Sequence, residues 1–111
     1  MGLCRGDVVL VNFNPAKGGE MGKLRPAVVM SEELDNELLD TIITIPLSTV
    51  IEPNTQPYRV HIKKREQLLQ DSDACVYEVR ALSKTRVKEK LTTLTKSEVE
   101  SLQRCLCQIL G

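Results

Sequence analysis

A chain of 111 residues with 15 acidic and 15 basic side chains has room for one domain, and its zero net charge excludes a global basic field that would attract a polyanion. Aromatic residues make up only 3% of the chain, which argues against base stacking as the main mode of nucleic-acid binding. No signal peptide and no apolar run of about 18 residues is visible, so we expect one cytoplasmic domain, residues 1–111, without a membrane segment.

The first predicted unit is a pair of strands joined by a glycine-rich loop. Residues 8–13 and 26–30 are apolar and rich in β-branched side chains, which is typical of strands. The loop between them, residues 14–23, contains three glycines and one proline, so we expect it to be mobile and to border a functional groove. Arg25 precedes Pro26, and a residue before proline favours extended backbone, so Arg25 should project from the mouth of the second strand.

An acidic segment and a buried strand are predicted next. Residues 31–40 carry five acids and no base, which indicates a solvated loop or a helical turn and a poor surface for RNA. Residues 41–47 are almost continuously apolar and predict a central strand, with Pro46 near its end. Ser48 and Thr49 follow where this strand emerges, a position where small hydroxyl residues usually form turns.

The second half of the chain contains two more predicted strands and a basic segment. Residues 58–62 alternate between apolar and polar side chains and predict a half-exposed strand. His61 on this strand is the single histidine, and we keep it as a candidate for proton transfer beside an ordinary surface or core role. Residues 66–73 are predicted to form a loop, residues 74–82 a strand, and the basic residues 83–90 a solvated turn.

A capping box predicts the start of the only clear helix. Thr95 and Glu98 have the spacing at which each side chain can bond the other residue's backbone amide. Apolar residues then recur at helical spacing over about four turns: Val99, Leu102, Leu106, Ile109 and Leu110. Five strand-like runs and one helix indicate an α+β domain that is mostly β. The four cysteines contain no Cys-x-x-Cys pair, so we expect reduced thiols and neither a metal site nor a cofactor.

The order of these motifs resembles the MazF/PemK toxin family. The resemblance covers residues 5–110. The matching residues are Gly6-Asp7, Asn14-Pro15, Gly18, Glu20, Arg25 to Val29, Ile45 to Ser48, Arg80, Lys84 and Arg86, followed by the closing helix. It implies a small SH3-like or CcdB-like barrel with a C-terminal amphipathic helix. It also implies a homodimer that cleaves single-stranded mRNA at short sequences and is neutralised by a cognate antitoxin.

The resemblance assigns catalysis to Arg25 and to Ser48, which stands where relatives usually carry threonine. RNA carries its own nucleophile, the 2′-OH, so cleavage requires a base, a cation for the phosphorane and an acid for the leaving oxygen. Arg25 fits the second role and Ser48 fits orientation of the substrate, whereas the base and the acid stay unassigned. The further candidate RNA contacts are Asn14, Lys17, Lys23, Thr49, Arg80, Lys84 and Arg86.

Two departures from the family pattern keep other functions open. Tyr77-Glu78 replaces the usual Asp-Gln pair. Cys75 replaces an arginine that has a catalytic role in some relatives. One alternative is a toxin of the same fold that binds a protein target such as DNA gyrase without cleaving RNA, and another is a decayed, non-cleaving member. Arg25 itself would have a structural role if it paired with Asp7 or Glu20.

Overall fold

The structure, a computed structural model, describes residues 2–13 and 24–111. Within these ranges the chain forms seven strands and two α-helices. The strands are β1 (Asp7–Asn12), β2 (Leu24–Val29), β3 (Thr41–Ser48), β4 (Arg59–Ile62), β5 (Ser72–Cys75), β6 (Arg80–Ser83) and β7 (Val87–Thr93). The helices are α1 (Glu33–Leu38) and α2 (Lys96–Leu110).

All the paired strands are antiparallel and belong to one sheet. The strand order is β4-β5-β3-β2-β1-β7, and β6 pairs with β3 beside this path. The two end strands, β4 and β7, are not paired with each other in the described part of the chain, so the expected barrel is open. The predicted fold class, mostly strands with a C-terminal helix, is confirmed.

The sheet carries a hydrophobic core on each face. Strand β1 contributes to both because its side chains alternate: Val8 packs with Leu102 of α2, whereas Val9 and Val11 pack on the opposite face. The opposite face also contains Phe13 and, on neighbouring strands, other buried apolar side chains: Ala27, Val29, Ile42 and Leu82. We call this surface, which α2 does not cover, the open face. It becomes polar toward β4 and β5, where the candidate site lies.

Helix α2 begins as predicted at a capping box. The Glu98 amide donates to Thr95 Oγ1 at 3.2 Å, and the Thr95 amide donates to Glu98 Oε1 at 2.9 Å. Arg65 donates two hydrogen bonds, of 2.5 and 2.6 Å, to the same Glu98 carboxylate. Leu102 and Cys105 are buried, but Leu110, expected on the packed face, is exposed because it lies at the last position of the helix. Neither described helix has the length and apolar character needed to cross a bilayer.

A glycine allows the chain to pass close to α2 before β1. Gly6 has a φ of +96°, its amide donates to the Val29 carbonyl at 2.7 Å, and its own carbonyl accepts from the Leu94 amide. A Cβ atom at this position would lie 2.9 Å from Val99 Cγ2. Asp7, the next residue, is buried and accepts hydrogen bonds from the Cys4 amide and from Thr93 Oγ1. The Gly6-Asp7 motif is therefore structural.

Three segments differ from the predictions. Residues 74–82 are not one strand, because a 3-10 turn at Val76–Glu78 separates β5 from β6. The basic segment at residues 83–90 is a turn only at Lys84–Arg86, which form a 3-10 turn. Residues 87–90 belong to β7, whose exposed charged side chains are typical of an edge strand. The third difference is that β5 begins inside the predicted loop at residues 66–73, whereas the acidic segment forms the short helix α1, in line with the predicted helical turn.

Candidate functional site

The register between β2 and β3 brings Arg25 toward Ser48. The last paired residues of these strands are Ala27 and Pro46. Arg25 and Ser48 each lie two residues beyond this pair on their own strand, so the same register, if extended, would bring them opposite each other. Directly opposed residues of an antiparallel pair point to one face, with Cβ atoms about 5 Å apart. Arg25 and Ser48, which the sequence analysis paired only through the family resemblance, therefore share the open face of the sheet.

The Ser48 hydroxyl is oriented by the turn that follows β3. Its Oγ accepts a hydrogen bond of 3.1 Å from the Val50 amide. Because the oxygen is used as an acceptor, the hydroxyl proton remains for donation to another group. The side chain is half-buried, and Thr49 beside it is exposed. This arrangement suits a hydroxyl that hydrogen-bonds a phosphate oxygen.

A buried carboxylate lies on the other side of Ser48. Asp73 of β5 is the direct cross-strand partner of Ser48, and only 3% of its side chain is exposed. Its Oδ2 accepts from the Glu52 amide at 2.8 Å and approaches Arg59 Nη1 at 3.4 Å. The same Nη1 donates to the Val50 carbonyl at 2.9 Å, and Nη2 lies 3.6 Å from Glu52 Oε1. No pattern in the sequence singled out Arg59 or Asp73.

His61 lies next to Asp73 on the neighbouring strand β4 and extends the row of polar side chains that begins with Ser48 and Asp73. It is the cross-strand partner of Asp73 on β4, so Ser48, Asp73 and His61 form a row over three adjacent strands, and β2, which carries Arg25, is the next strand. Its Nδ1 lies 3.5 Å from Asp73 Oδ1, and its Nε2 lies 3.5 Å from Asp71 Oδ2. The main chains of His61 and Ser48 are two strand spacings apart, about 10 Å. We therefore assign His61 no direct role at the Ser48 hydroxyl.

Of the two acids considered as structural ion-pair partners of Arg25, Asp7 is paired with a different cation. Asp7 is 2% exposed at its side chain, and Lys90 Nζ lies 3.3 Å from its Oδ1. Among the described residues no ion pair involves Arg25. Glu20, the other partner considered, lies outside them.

The remaining candidate RNA contacts are dispersed. Arg80 lies on the open face with its guanidinium 5.6 Å from the Phe13 ring centroid, a cation–π distance. Lys84 donates to the Asn36 carbonyl at 2.6 Å, and Arg86 donates to the Asn12 carbonyl at 3.1 Å. These two cations therefore hold segments of the fold together. Thr49 lines a pocket of about 320 Å³ with Pro26, and these two residues follow Ser48 and Arg25 directly in the chain. Asn14, Lys17, Lys23 and the whole loop at residues 14–23 lie outside the described residues.

Comparison with known proteins identifies the family. Residues 4–110 match the family of PemK-like, MazF-like toxins of type II toxin–antitoxin systems. The chain is also 35% identical over 108 residues to the endoribonuclease MazF of Staphylococcus epidermidis, an alignment covering 96% of this chain and 90% of that protein. This chain belongs to the MazF-like toxin family.

Solved structures of MazF-like toxins share the fold. MazF from Deinococcus radiodurans superimposes with a TM-score of 0.80 at 22% identity, covering 100% of this chain and 98% of that one. A chain of the MazE–MazF complex from the same organism gives 0.84 at 21% identity, with coverage of 100% and 97%. A mycobacterial endoribonuclease in complex with its cognate antitoxin gives 0.77 at 18% identity, with coverage of 98% and 95%.

The departures from the MazF-like pattern fall at the end of β5. Cys75 is buried on the open face, and burial raises the pKa of its thiol, whereas the positive charges of Arg59 and Arg25 act in the opposite direction. Tyr77 and Glu78 are exposed on the 3-10 turn, and the Tyr77 ring packs edge-on against Tyr58 at 6.0 Å. This toxin therefore has an exposed aromatic pair beside the site.

Proposed function

We propose that this protein is a toxin endoribonuclease that cleaves single-stranded mRNA at short, specific sequences without a metal ion. The proposal is supported by the position of Arg25 and Ser48 on the same face of the neighbouring strands β2 and β3, and by the hydrogen bond from the Val50 amide, which leaves the Ser48 proton available. Membership of the MazF-like toxins and the similarity to an endoribonuclease support the same activity.

The proposed reaction uses the 2′-OH of the substrate as its nucleophile. The 2′-oxygen bonds to phosphorus while the bond to the 5′-oxygen breaks, which leaves a 2′,3′-cyclic phosphate and a 5′-hydroxyl. The 2′-OH proton passes to a base, and the leaving oxygen takes a proton from an acid, two groups that we leave unassigned. Arg25 and Ser48 would stabilise the phosphorane that forms while these two protons are transferred.

Arg25 would stabilise the charge that develops on the phosphorane. Its guanidinium can donate two parallel hydrogen bonds to the non-bridging oxygens. One preorganised donor of this kind contributes about 3 kcal/mol, or about 10²–10³ in rate. Ser48 would donate its free proton to one of the same oxygens and hold the phosphate in place, because a serine hydroxyl is a weak base at neutral pH.

Two partners belong to the proposal. Relatives have been solved as a MazE–MazF complex and as an endoribonuclease with its cognate antitoxin, so we propose that an antitoxin binds and neutralises this toxin. We also propose that the toxin acts as a homodimer. Leu34 and Leu38, one helical turn apart on α1, are 63% and 72% exposed, and such apolar side chains are commonly covered by a partner. The site of action would be the cytoplasm, where mRNA is found.

Incubation with a long RNA in the presence of EDTA tests the activity. Primer extension should reveal discrete cuts that share a short sequence, and the protein with Arg25→Ala should give none. If the wild-type protein makes no cuts, the two non-cleaving alternatives remain. Inhibition in a DNA gyrase supercoiling assay would then select the gyrase-binding toxin over the decayed family member. Cuts that vanish only with EDTA would contradict the metal-independent mechanism.

A further inference from the structure

We infer that Arg59 and Asp73 form a clamp that positions the Ser48 hydroxyl, so that both are positioning residues for cleavage; the inference rests on the proposed function. The clamp is a closed set of contacts around the turn at residues 48–52. No motif of the sequence pairs these two residues, since 14 positions separate them along the chain.

The contacts form a circuit that returns to Ser48. The Val50 amide donates to Ser48 Oγ, and the Val50 carbonyl accepts from Arg59 Nη1 at 2.9 Å. The same Nη1 approaches Asp73 Oδ2, which accepts from the Glu52 amide at 2.8 Å. Asp73 is in turn the cross-strand partner of Ser48. Val50, whose amide orients the hydroxyl, is therefore fixed at its carbonyl by Arg59. Asp73 fixes the same turn two residues further on, at the Glu52 amide.

Burial distinguishes this clamp from an ordinary surface ion pair. The side chain of Asp73 is 3% exposed and that of Arg59 is 21% exposed. A charged group this deeply buried is destabilising unless it is paired and hydrogen-bonded, so the Asp73 carboxylate depends on its partners. The position of the turn is then coupled to the ion pair, because the Glu52 amide and Arg59 share one carboxylate oxygen.

The charge of Arg59 is already neutralised, which argues for a role through Ser48 and against direct phosphate binding. Its two terminal nitrogens contact Asp73, the Glu52 carboxylate and the Val50 carbonyl. An anionic substrate would have to compete with two carboxylates for this guanidinium. Arg25 has no carboxylate partner among the described residues, and it is the cation that we assign to the phosphate.

A double-mutant cycle tests whether Arg59 acts through the hydroxyl. Single-turnover cleavage is measured for wild type, Arg59→Gln, Ser48→Ala and the double variant. We expect Arg59→Gln to lower the rate at saturating RNA about tenfold, with KM nearly unchanged, but to add almost nothing in the Ser48→Ala background. Equal losses in both backgrounds, or a rise in KM alone, would overturn the inference in favour of direct substrate contact.

The matched control is Arg65→Gln, which removes another partly buried arginine pair at a distance from the site. It should lower the melting temperature and leave the rate of the folded protein unchanged. Asp73→Asn keeps the shape and an acceptor for the Glu52 amide but removes the charge, so it should reproduce the kinetic effect of Arg59→Gln. A wild-type rate in either clamp variant would overturn the inference.

Hydrogen exchange separates failure of the clamp from failure of the proposed function. In Arg59→Gln the amides of Val50 and Glu52 should exchange faster than in wild type, whereas amides of α2 should be unchanged. If the wild-type protein cleaves no RNA, the proposed function fails, and the exchange of these two amides then decides whether the clamp exists. Unchanged exchange would overturn it.

Discussion

Ser48 and Asp73 face each other directly across β3 and β5, so a strand-end hydroxyl lies beside a buried carboxylate. The pairing is nonlocal, because these two residues are 25 positions apart in the chain. Because Ser48 is the last residue of β3, this pairing places the polar part of the open face at the end of that strand. The reaction that we propose depends on this point and on the neighbouring Arg25.

Replacing Arg25 with alanine should abolish cleavage and leave the fold intact. Arg25 is half-buried at a strand mouth, so its removal creates no core cavity, while loss of the phosphorane contact should lower the rate by about 10²–10³. Single-turnover cleavage and thermal melting measure the two effects. Lys88→Ala removes an exposed cation elsewhere and should cleave like wild type. An unchanged rate in folded Arg25→Ala would transfer the role to another cation, Arg80 first.

Substitutions of Ser48 should separate its hydroxyl from its size. Ser48→Thr keeps both the donor and the acceptor and should retain activity. Ser48→Ala should lose about 1–3 kcal/mol of transition-state stabilisation, or about 10- to 150-fold in rate. Single-turnover rates on one RNA decide the matter. Equal rates for Ser48→Ala and wild type would reduce Ser48 to a turn residue, and equal losses in both variants would indicate crowding.

Glu98 should make the stability of α2 dependent on pH. The hydrogen bonds from Arg65 hold the pKa of the Glu98 carboxyl below its ordinary value. A pKa lowered by folding contributes stability above the unfolded pKa, and this contribution is lost as the pH falls through the folded pKa. Glu98→Gln should therefore cost about 1–2 kcal/mol of unfolding free energy at pH 7 and much less at an acidic pH below the folded pKa of Glu98. Urea denaturation at both pH values measures it, and an equal cost at both would refute the charged contribution.

Gly6→Ala should destabilise the fold by about 1–3 kcal/mol. The new Cβ would lie 2.9 Å from Val99 Cγ2, and the φ of +96° disfavours any side chain. Chemical denaturation in two backgrounds separates the causes. In Val99→Ala the steric part disappears and the cost of Gly6→Ala should shrink without vanishing. A cost that is the same in both backgrounds would assign the whole effect to backbone conformation.

The toxin should sediment as a dimer, with a mass about twice the 12.4 kDa of one chain. The physical reason is that a domain this small leaves apolar side chains at its surface, which a second copy would cover. Analytical ultracentrifugation at concentrations on the order of tens of micromolar measures the mass. A single species at the mass of one chain would reject the homodimer.

The elements that the sequence determined by itself are those whose signals are local. Helix α2 is an example, because Thr95 and Glu98 cap it through bonds within one turn and its apolar side chains repeat at helical spacing. Strands β1 and β3 were predicted because their runs of buried β-branched residues need no knowledge of the neighbouring strands. Arg25 and Ser48 were singled out from the sequence through the family resemblance.

Only the tertiary structure decided which distant residues meet. Strand β7 was missed because its charged side chains are exposed at an edge, so burial left no periodic pattern in its sequence. The break between β5 and β6 depends on a turn that no glycine or proline marks. Arg59 and Asp73 remained unnoticed because their contact follows from the pairing of β4, β5 and β3, and the register of strands far apart in the chain is set by packing of the whole sheet.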